Sequence, residues 1–518
     1  MNIKKITWKR FNWNYTSIPY NLFVLAMVLM YGLCFTITGF CNTPFSSFAD
    51  FVVLVMQWCC VCVATYGLLS VLSINKWVFA ITFPLVTFLC TVAAYFSFTA
   101  KVNLTPMIIG LVIANMSDLQ TSATLVEPNL ILFMVLSLVV SIALVVYRWK
   151  KIKVENWIVN LAFGLFCVIV TNGLIPRIQG PISERLPYSM FYMVKRYASQ
   201  RAIVSEHRNT FTVPPTNNVD SLTVVMVIGE SLRADHLQLN GYPRETTPLL
   251  AKESNVVSLP NIYTEAHLTH LSVPHILTRA DSTNTDRAFK EQSFITLFKQ
   301  SGFKSTWLAN QESTDTYVYY MNEVDSLLFV NSGKSLYIID KWMDRDILPY
   351  YKDFLNSEGK KKLAVVHTVG SHWYYPTHFN VEESKFQPNA LSKIISSNTR
   401  QEMINSYDNT IVETDYVMHE FINELRDKNA ILLYLSDHGE SLGEGGRYMH
   451  ALDFPEVHNS ACFVWYSDKY GDLNPEKVAA LRSNKDKHYR TDFLFHSILD
   501  AASIETEYRE DSFSIFKK

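Results

Sequence analysis

Five long apolar runs fill the first third of this 518-residue chain, and no other feature restricts its fold so sharply. They lie near residues 20–41, 49–73, 77–99, 129–147 and 157–175. Each is close to the ~20 residues a helix needs to cross a bilayer. The run FVVLVMQWCCVCVATYGLLSVLS (51–73) holds no charged residue. One such run would suit a buried helix of a soluble protein, but five in succession indicate a transmembrane domain of five helices over residues 1–175. The first run is too long for a cleavable signal peptide, lacks a small-residue cleavage site and is followed by four more spans.

Basic residues orient the spans. Lys4, Lys5, Lys9 and Arg10 precede the first, Lys76 sits between the second and third, and Arg148, Lys150, Lys151 and Lys153 sit between the fourth and fifth. The opposite loops are nearly bare of them. The positive-inside rule then puts the N-terminus in the cytoplasm and everything after about residue 175 outside. The external stretch 103–128 is too short and too polar to span easily, and reads as a loop or a helix half-buried near the headgroups. ERLPYSMFYMVKRYASQR (184–201) mixes aromatic and basic residues as an interfacial bridging helix does, and VPPTNN (213–218) reads as a linker. Residues 176–218 therefore form the bridge, and 219–518 a soluble domain.

Residues 1–175 carry ten Lys/Arg against four Asp/Glu, and the remainder 36 against 44. The larger part has no basic excess, which argues against a nucleic-acid partner. Seven of the eight cysteines lie in the first third; Cys462 alone lies beyond, so the soluble domain holds no internal disulfide.

From about residue 220, short β-branched apolar runs alternate with segments of helical spacing. LTVVMVIG (222–229), LAVVHTVG (363–370) and ILLYLS (431–436) are continuous apolar strands, the signature of a mostly parallel sheet buried on both faces. They run into Glu230, into Ser371 and His372, and into Asp437 and His438. Carboxyl ends of parallel strands are where α/β sheets bind ligands. Glu230, Asp437 and His438 supply two hard oxygens and an imidazole, a set suited to zinc and less well to manganese. A hydroxyl could supply a fourth ligand and a nucleophile, since a divalent cation lowers the pKa of a bound alcohol. EAHLTHLSVPHILTR (265–279) offers Thr269 and Ser272, between which spacing does not choose.

At these residues the chain resembles the membrane-anchored phosphoethanolamine transferases that modify lipopolysaccharide, which are sulfatase-like members of the alkaline phosphatase superfamily. Four motifs carry the resemblance: GESLRADHLQLNGYPRETTP (229–248), THLSVP (269–274), HTVGSH (367–372) and SDHGESLGEGGRYMH (436–450). NSYDNTI (405–411) also resembles the family's short run before a helix. The resemblance implies a sulfatase-like catalytic domain over 219–518, with one tight zinc on Glu230, Thr269, Asp437 and His438 and with Thr269 as nucleophile. It places His372 and His450 at the substrate, open between binding phosphate, protonating a leaving group and holding a second zinc. Many relatives flank the nucleophile with cysteines; here Glu265 and His275 stand there, so packing or polar contacts must hold the loop. WLANQES (307–313) resembles the cysteine-poor members that modify core sugar.

The implied activity is transfer of phosphoethanolamine from phosphatidylethanolamine to lipid A or core sugar of lipopolysaccharide. It proceeds through a zinc-activated threonine and a covalent phospho-threonine. The protein is expected as a monomer among membrane lipids in a bacterial inner membrane, with its catalytic domain in the periplasm. Two rivals stand beside this reading: a phosphoglycerol transferase or phosphodiesterase using the same nucleophile, and a non-catalytic membrane sensor with a degenerate sulfatase-like domain.

Overall fold

A computed structural model of the chain describes residues 18–41, 43, 45–99, 103–114, 128–173, 182–334, 341–450 and 452–518. The basic N-terminal residues 4–10 and much of the predicted external stretch, 115–127, lie outside these. Two compact units result: the first built mainly from Phe48–Arg196 and the helix before it, the second from Tyr197–Ser332 and Ile339–Lys518.

The first unit consists of apolar helices α1 (Ile18–Cys34), α2 (Phe48–Ile74), α3 (Lys76–Thr99), α4 (Pro106–Ala114), α5 (Pro128–Lys151) and α6 (Trp157–Gly173), with a 3-10 turn at Thr36–Gly39. α7 (Tyr188–Val204) follows at the predicted bridging segment. α1 with its 3-10 turn, α2, α3 and α5 are long and apolar enough to cross a membrane, and α6 is a shorter apolar helix at the position of the fifth predicted span. α2 and α6 approach closely because both are small at the crossing: a Cβ on Gly67 would overlap the carbonyl of Gly164. Arg148, in the last turn of α5, donates from Nε to Ser73 O over 2.9 Å and from Nη2 to Ile74 O over 2.9 Å. It thereby satisfies carbonyls that the end of α2 leaves open.

The second unit is a doubly wound α/β domain. Its main sheet comprises β1 (Leu222–Gly229), β2 (Val256–Ser258), β3 (Lys304–Ala309), β4 (Ser326–Phe329), β5 (Lys361–His367), β6 (Ala430–Ser436) and β7 (Cys462–Tyr466), in the order β2-β7-β6-β1-β5-β3-β4. β1 pairs in parallel with both β5 and β6, β3 in parallel with β4 and β5, and β7 is antiparallel to its neighbours. All eight residues of β1 are buried, as the uninterrupted apolar run requires. Val224, Met226 and Ile228 face a core shared with α8 (Thr269–Leu277), α9 (Phe294–Gln300) and, near the C-terminus, Phe493–Leu499. Val225 and Val227 face the opposite core, with α10 (Leu348–Asn356) and α11 (Arg400–Leu425). Residues 213–218 run along this unit, Thr216 bridging to Glu505.

One expectation is corrected. Residues 405–411 do not precede a helix; they lie inside α11. A capping box formed by Thr399 and Glu402 starts that helix upstream.

Candidate active site

The parallel register places Gly229 opposite Ser436 and Ile228 opposite His367, so the residues that follow these three strands emerge together at one sheet edge. Glu230, Asp437 and His438 are fully buried there. Their ligand-type atoms lie within 4.8 Å of one another, and they are the described residues' one such group. Thr269 opens α8, but its side chain does not cap the helix. Instead Oγ1 donates to Glu230 Oε2 over 3.1 Å and lies 3.3 Å from His438 Nε2. Ser272, the other hydroxyl, is buried and donates to the main-chain carbonyl of Asp437 over 2.6 Å. Geometry thus separates two hydroxyls that spacing left equal.

The donor set fits a divalent cation. His438 Nδ1 donates to Gly439 O over 2.8 Å, which fixes the tautomer and leaves the Nε2 lone pair facing inward. That lone pair stands 3.3 Å from Asp437 Oδ2 and 3.5 Å from Glu230 Oε1. Asp437 Oδ2 is buried with no hydrogen-bond partner. Three electron-rich atoms facing one another in a dry site repel unless a cation lies among them. Burial, followed by the neighbouring Asp437, pushes the Glu230 carboxyl well above its usual range, and burial lifts Asp437 to about 6.

The remaining lone pairs are tied down. Asp437 Oδ1 accepts from the main-chain N–H of Ser231 over 3.0 Å and of His438 over 2.8 Å. Glu230 Oε1 accepts from Ser231 Oγ over 2.7 Å, and Oε2 from Gln311 Nε2 over 2.9 Å. Ser231 takes φ 57°, unusual for a residue with a Cβ. Its conformation is held by Tyr407, whose hydroxyl donates to Ser231 O over 2.7 Å and accepts from the N–H of Arg233 over 2.8 Å. Gly370 is required beside it: at φ 49° its Cβ would lie 2.8 Å from Glu230 O.

The His450 ring lies tilted by 43° against His438 with 4.2 Å between ring centres, and the His372 and His450 ring centres are 6.2 Å apart. Glu440 lies 3.4 Å from His450 Nδ1. Burial depresses His450, but Glu440, Glu230 and Asp437 outweigh it and lift the imidazole to about 9. Burial, then His450, lowers His372 to about 3. The SDHGESLGEGGRYMH loop is braced by Arg233, which reaches Glu440 O over 3.1 Å and Glu444 Oε1 over 2.7 Å. The cysteine-free loop around Thr269 is held by polar contacts: Glu265 pairs with Arg490, and Ser272 with Asp437.

All six residues singled out in the sequence converge. Gln311 and Ser231 were not singled out. Ser231 adjoins Glu230 in the chain, whereas Gln311 arrives from β3, two strands away from β1, and nothing local in WLANQES marks it.

A buried carboxylate-imidazole cluster with a hydroxyl beside it, on the carboxyl edge of a doubly wound sheet, suits an enzyme that handles phosphoryl or sulfuryl groups. The chain belongs to the sulfatase family, whose model matches residues 223–504. Its place within that family is among the membrane-anchored phosphoethanolamine transferases. It is 28% identical over 389 residues to phosphoethanolamine transferase EptA of Escherichia coli K12, covering 70% of this chain and 69% of that protein. It is 31% identical over 327 residues to the Kdo(2)-lipid A phosphoethanolamine 7''-transferase of the same organism, covering 58% and 56%. The full-length lipooligosaccharide phosphoethanolamine transferase A of Neisseria meningitidis has the same fold, with TM-score 0.55 at 21% identity over 95% of this chain and 98% of that one.

Proposed function

We propose that this enzyme transfers phosphoethanolamine from phosphatidylethanolamine to a lipopolysaccharide acceptor, lipid A or core sugar, on the periplasmic side of the bacterial inner membrane. The observation that carries the reading is the placement of Thr269 Oγ1, 3.1 Å from Glu230 Oε2 and 3.3 Å from His438 Nε2. Glu230, Asp437 and His438, with Thr269, would hold one zinc, which supplies Lewis acidity to the phosphoryl oxygens and acidity to the threonine hydroxyl.

Thr269 Oγ1 is the nucleophile. It attacks the donor phosphorus, the bond to the glycerol oxygen breaks, and diacylglycerol leaves with a proton. Phosphoethanolamine remains esterified to Thr269. An acceptor oxygen then attacks the same phosphorus, the bond to Oγ1 breaks, and the threonine regains its proton. His450 and His372, whose rings lie near His438, would bind the phosphoryl oxygens or protonate the leaving oxygen. The membrane helices anchor the enzyme in the bilayer that carries its lipid substrates.

Mass spectrometry of lipopolysaccharide from cells with and without the gene tests this reading. The account expects one added phosphoethanolamine per modified molecule, lost in the deletion and restored by the wild-type gene. Glycerophosphate in its place, or an unchanged lipopolysaccharide, contradicts it.

A further inference from the structure

We propose that the membrane unit seats an outer-leaflet glycerophospholipid with a zwitterionic, ammonium-bearing headgroup, one acyl chain lying in a groove between α1, α3 and α5. The proposal deepens the function above and rests on its phosphatidylethanolamine donor for the identity of the headgroup.

The groove encloses about 560 Å³, and Leu33, Phe35, Ala94, Phe98, Leu136 and Val140 are among its walls. Hydroxyls do reach the wall, but four of them are spent on their own helix or turn. Thr38 donates to Phe35 O over 2.6 Å, Thr87 to Phe83 O over 2.7 Å, Thr91 to Thr87 O over 2.8 Å and Ser137 to Met134 O over 2.9 Å. The wall therefore presents hydrocarbon and closed hydrogen bonds, with nothing to hold water. A concave apolar surface of this kind gains dispersion contacts only from a chain that fills it.

The groove is also placed in one leaflet. Its lining comes from the C-terminal halves of α1 and α3 and the N-terminal half of α5. Those ends lie opposite the basic loops, on the external side.

A small polar recess of about 20 Å³ adjoins the groove. Thr38 lines both, and the recess adds Ser97, Asn103, Glu184, Arg185 and Ser189. Gly39 admits Arg185, since a Cβ there would overlap the arginine side chain, and the guanidinium lies 4.5 Å above the Phe40 ring. Glu184 is buried next to it and pairs with Arg196 over 3.2 Å. A guanidinium and a carboxylate at the mouth of an acyl groove complement a headgroup that carries phosphate and ammonium together. A phosphoglycerol headgroup lacks the cation that Glu184 would meet.

The test uses the full chain in nanodiscs with phosphatidylethanolamine bearing a diazirine in one acyl chain, photolysed and mapped by peptide mass. It is run on Thr269→Ala protein, so that seating is read without turnover and a failure of the transfer chemistry is kept separate. Labels should concentrate on residues 30–41, 87–98 and 133–140. Ser137→Phe, which fills the groove, should cut them about tenfold. Leu132→Phe, on the exposed face of the same helix, should not. Even labelling of lipid-facing residues such as Ile81 and Phe166, or labelling untouched by Ser137→Phe, overturns the acyl site. Phosphatidylglycerol with the same chain should label about threefold less, and Glu184→Gln should erase that difference. Equal labelling by the two lipids with the wild-type recess overturns the headgroup assignment.

Discussion

Ser272 Oγ donates to the main-chain carbonyl of Asp437 over 2.6 Å, so the other candidate hydroxyl of this segment is a strut of the site. Ser272→Ala leaves a buried carbonyl short of a partner and should lower stability by about 1–2 kcal/mol. It should still form the covalent adduct on Thr269. Thr269→Ala should do the reverse, keeping stability and losing the adduct. Chemical denaturation and intact mass, measured on both variants, check the pair.

Gln311 Nε2 steadies Glu230 Oε2 over 2.9 Å. Partners of metal-binding side chains typically contribute tenfold to hundredfold in metal affinity, and Gln311→Ala should weaken zinc retention by about that much. Chelator competition followed by metal analysis reads the effect without any turnover. Retention equal to wild type would remove Gln311 from the site.

His496 gives a pH dependence from a residue outside the proposed metal site. Its ring is 4% exposed, stacks on Phe513 with 5.1 Å between centres, and Nδ1 accepts the N–H of Glu510 over 2.9 Å. The proton therefore sits on Nε2. Burial, then Arg279, pushes the pKa down to about 4. A depressed folded pKa means this contribution is complete above the unfolded value of ~6.5 and is lost as pH falls through about 4. The stability difference between wild type and His496→Gln should shrink by about 3 kcal/mol from pH 7 to pH 4. Parallel curves for the two proteins contradict the assignment.

Glu265 and Arg490 pair beside the loop that leads into α8, and the Arg490 side chain is 49% exposed. Such a pair contributes less than about 1 kcal/mol. Arg490→Gln should barely move the melting temperature while speeding amide exchange across residues 265–268. Unchanged exchange would mean that α8 packing alone holds the loop.

What could be read from the sequence follows from how local each signal is. The spans were legible because a bilayer demands long uncharged runs, and Glu230, Asp437 and His438 because each directly follows an apolar strand. Residues 405–411 misled because α11 buries a polar face. Asn405, Asp408 and Asn409 are buried in it, and Asn409 Nδ2 reaches Phe386 O over 2.8 Å. A helix face made of such residues lacks the apolar periodicity that marks helices in sequence. Gln311 and Arg490 escaped notice because they meet Glu230 and Glu265 from 81 and 225 residues away. The groove beside α5 is likewise a product of packing, since its wall alternates with lipid-facing residues of the same composition.

The central claim is that Thr269 carries the phosphoethanolamine, and intact-protein mass under single-turnover conditions tests it most directly. Full-length enzyme incubated with phosphatidylethanolamine and no acceptor should gain one phosphoethanolamine, mapped by peptide mass to Thr269 within residues 265–279 and discharged when acceptor is added. An adduct on Ser272, or product formed with no covalent species at any time, contradicts it.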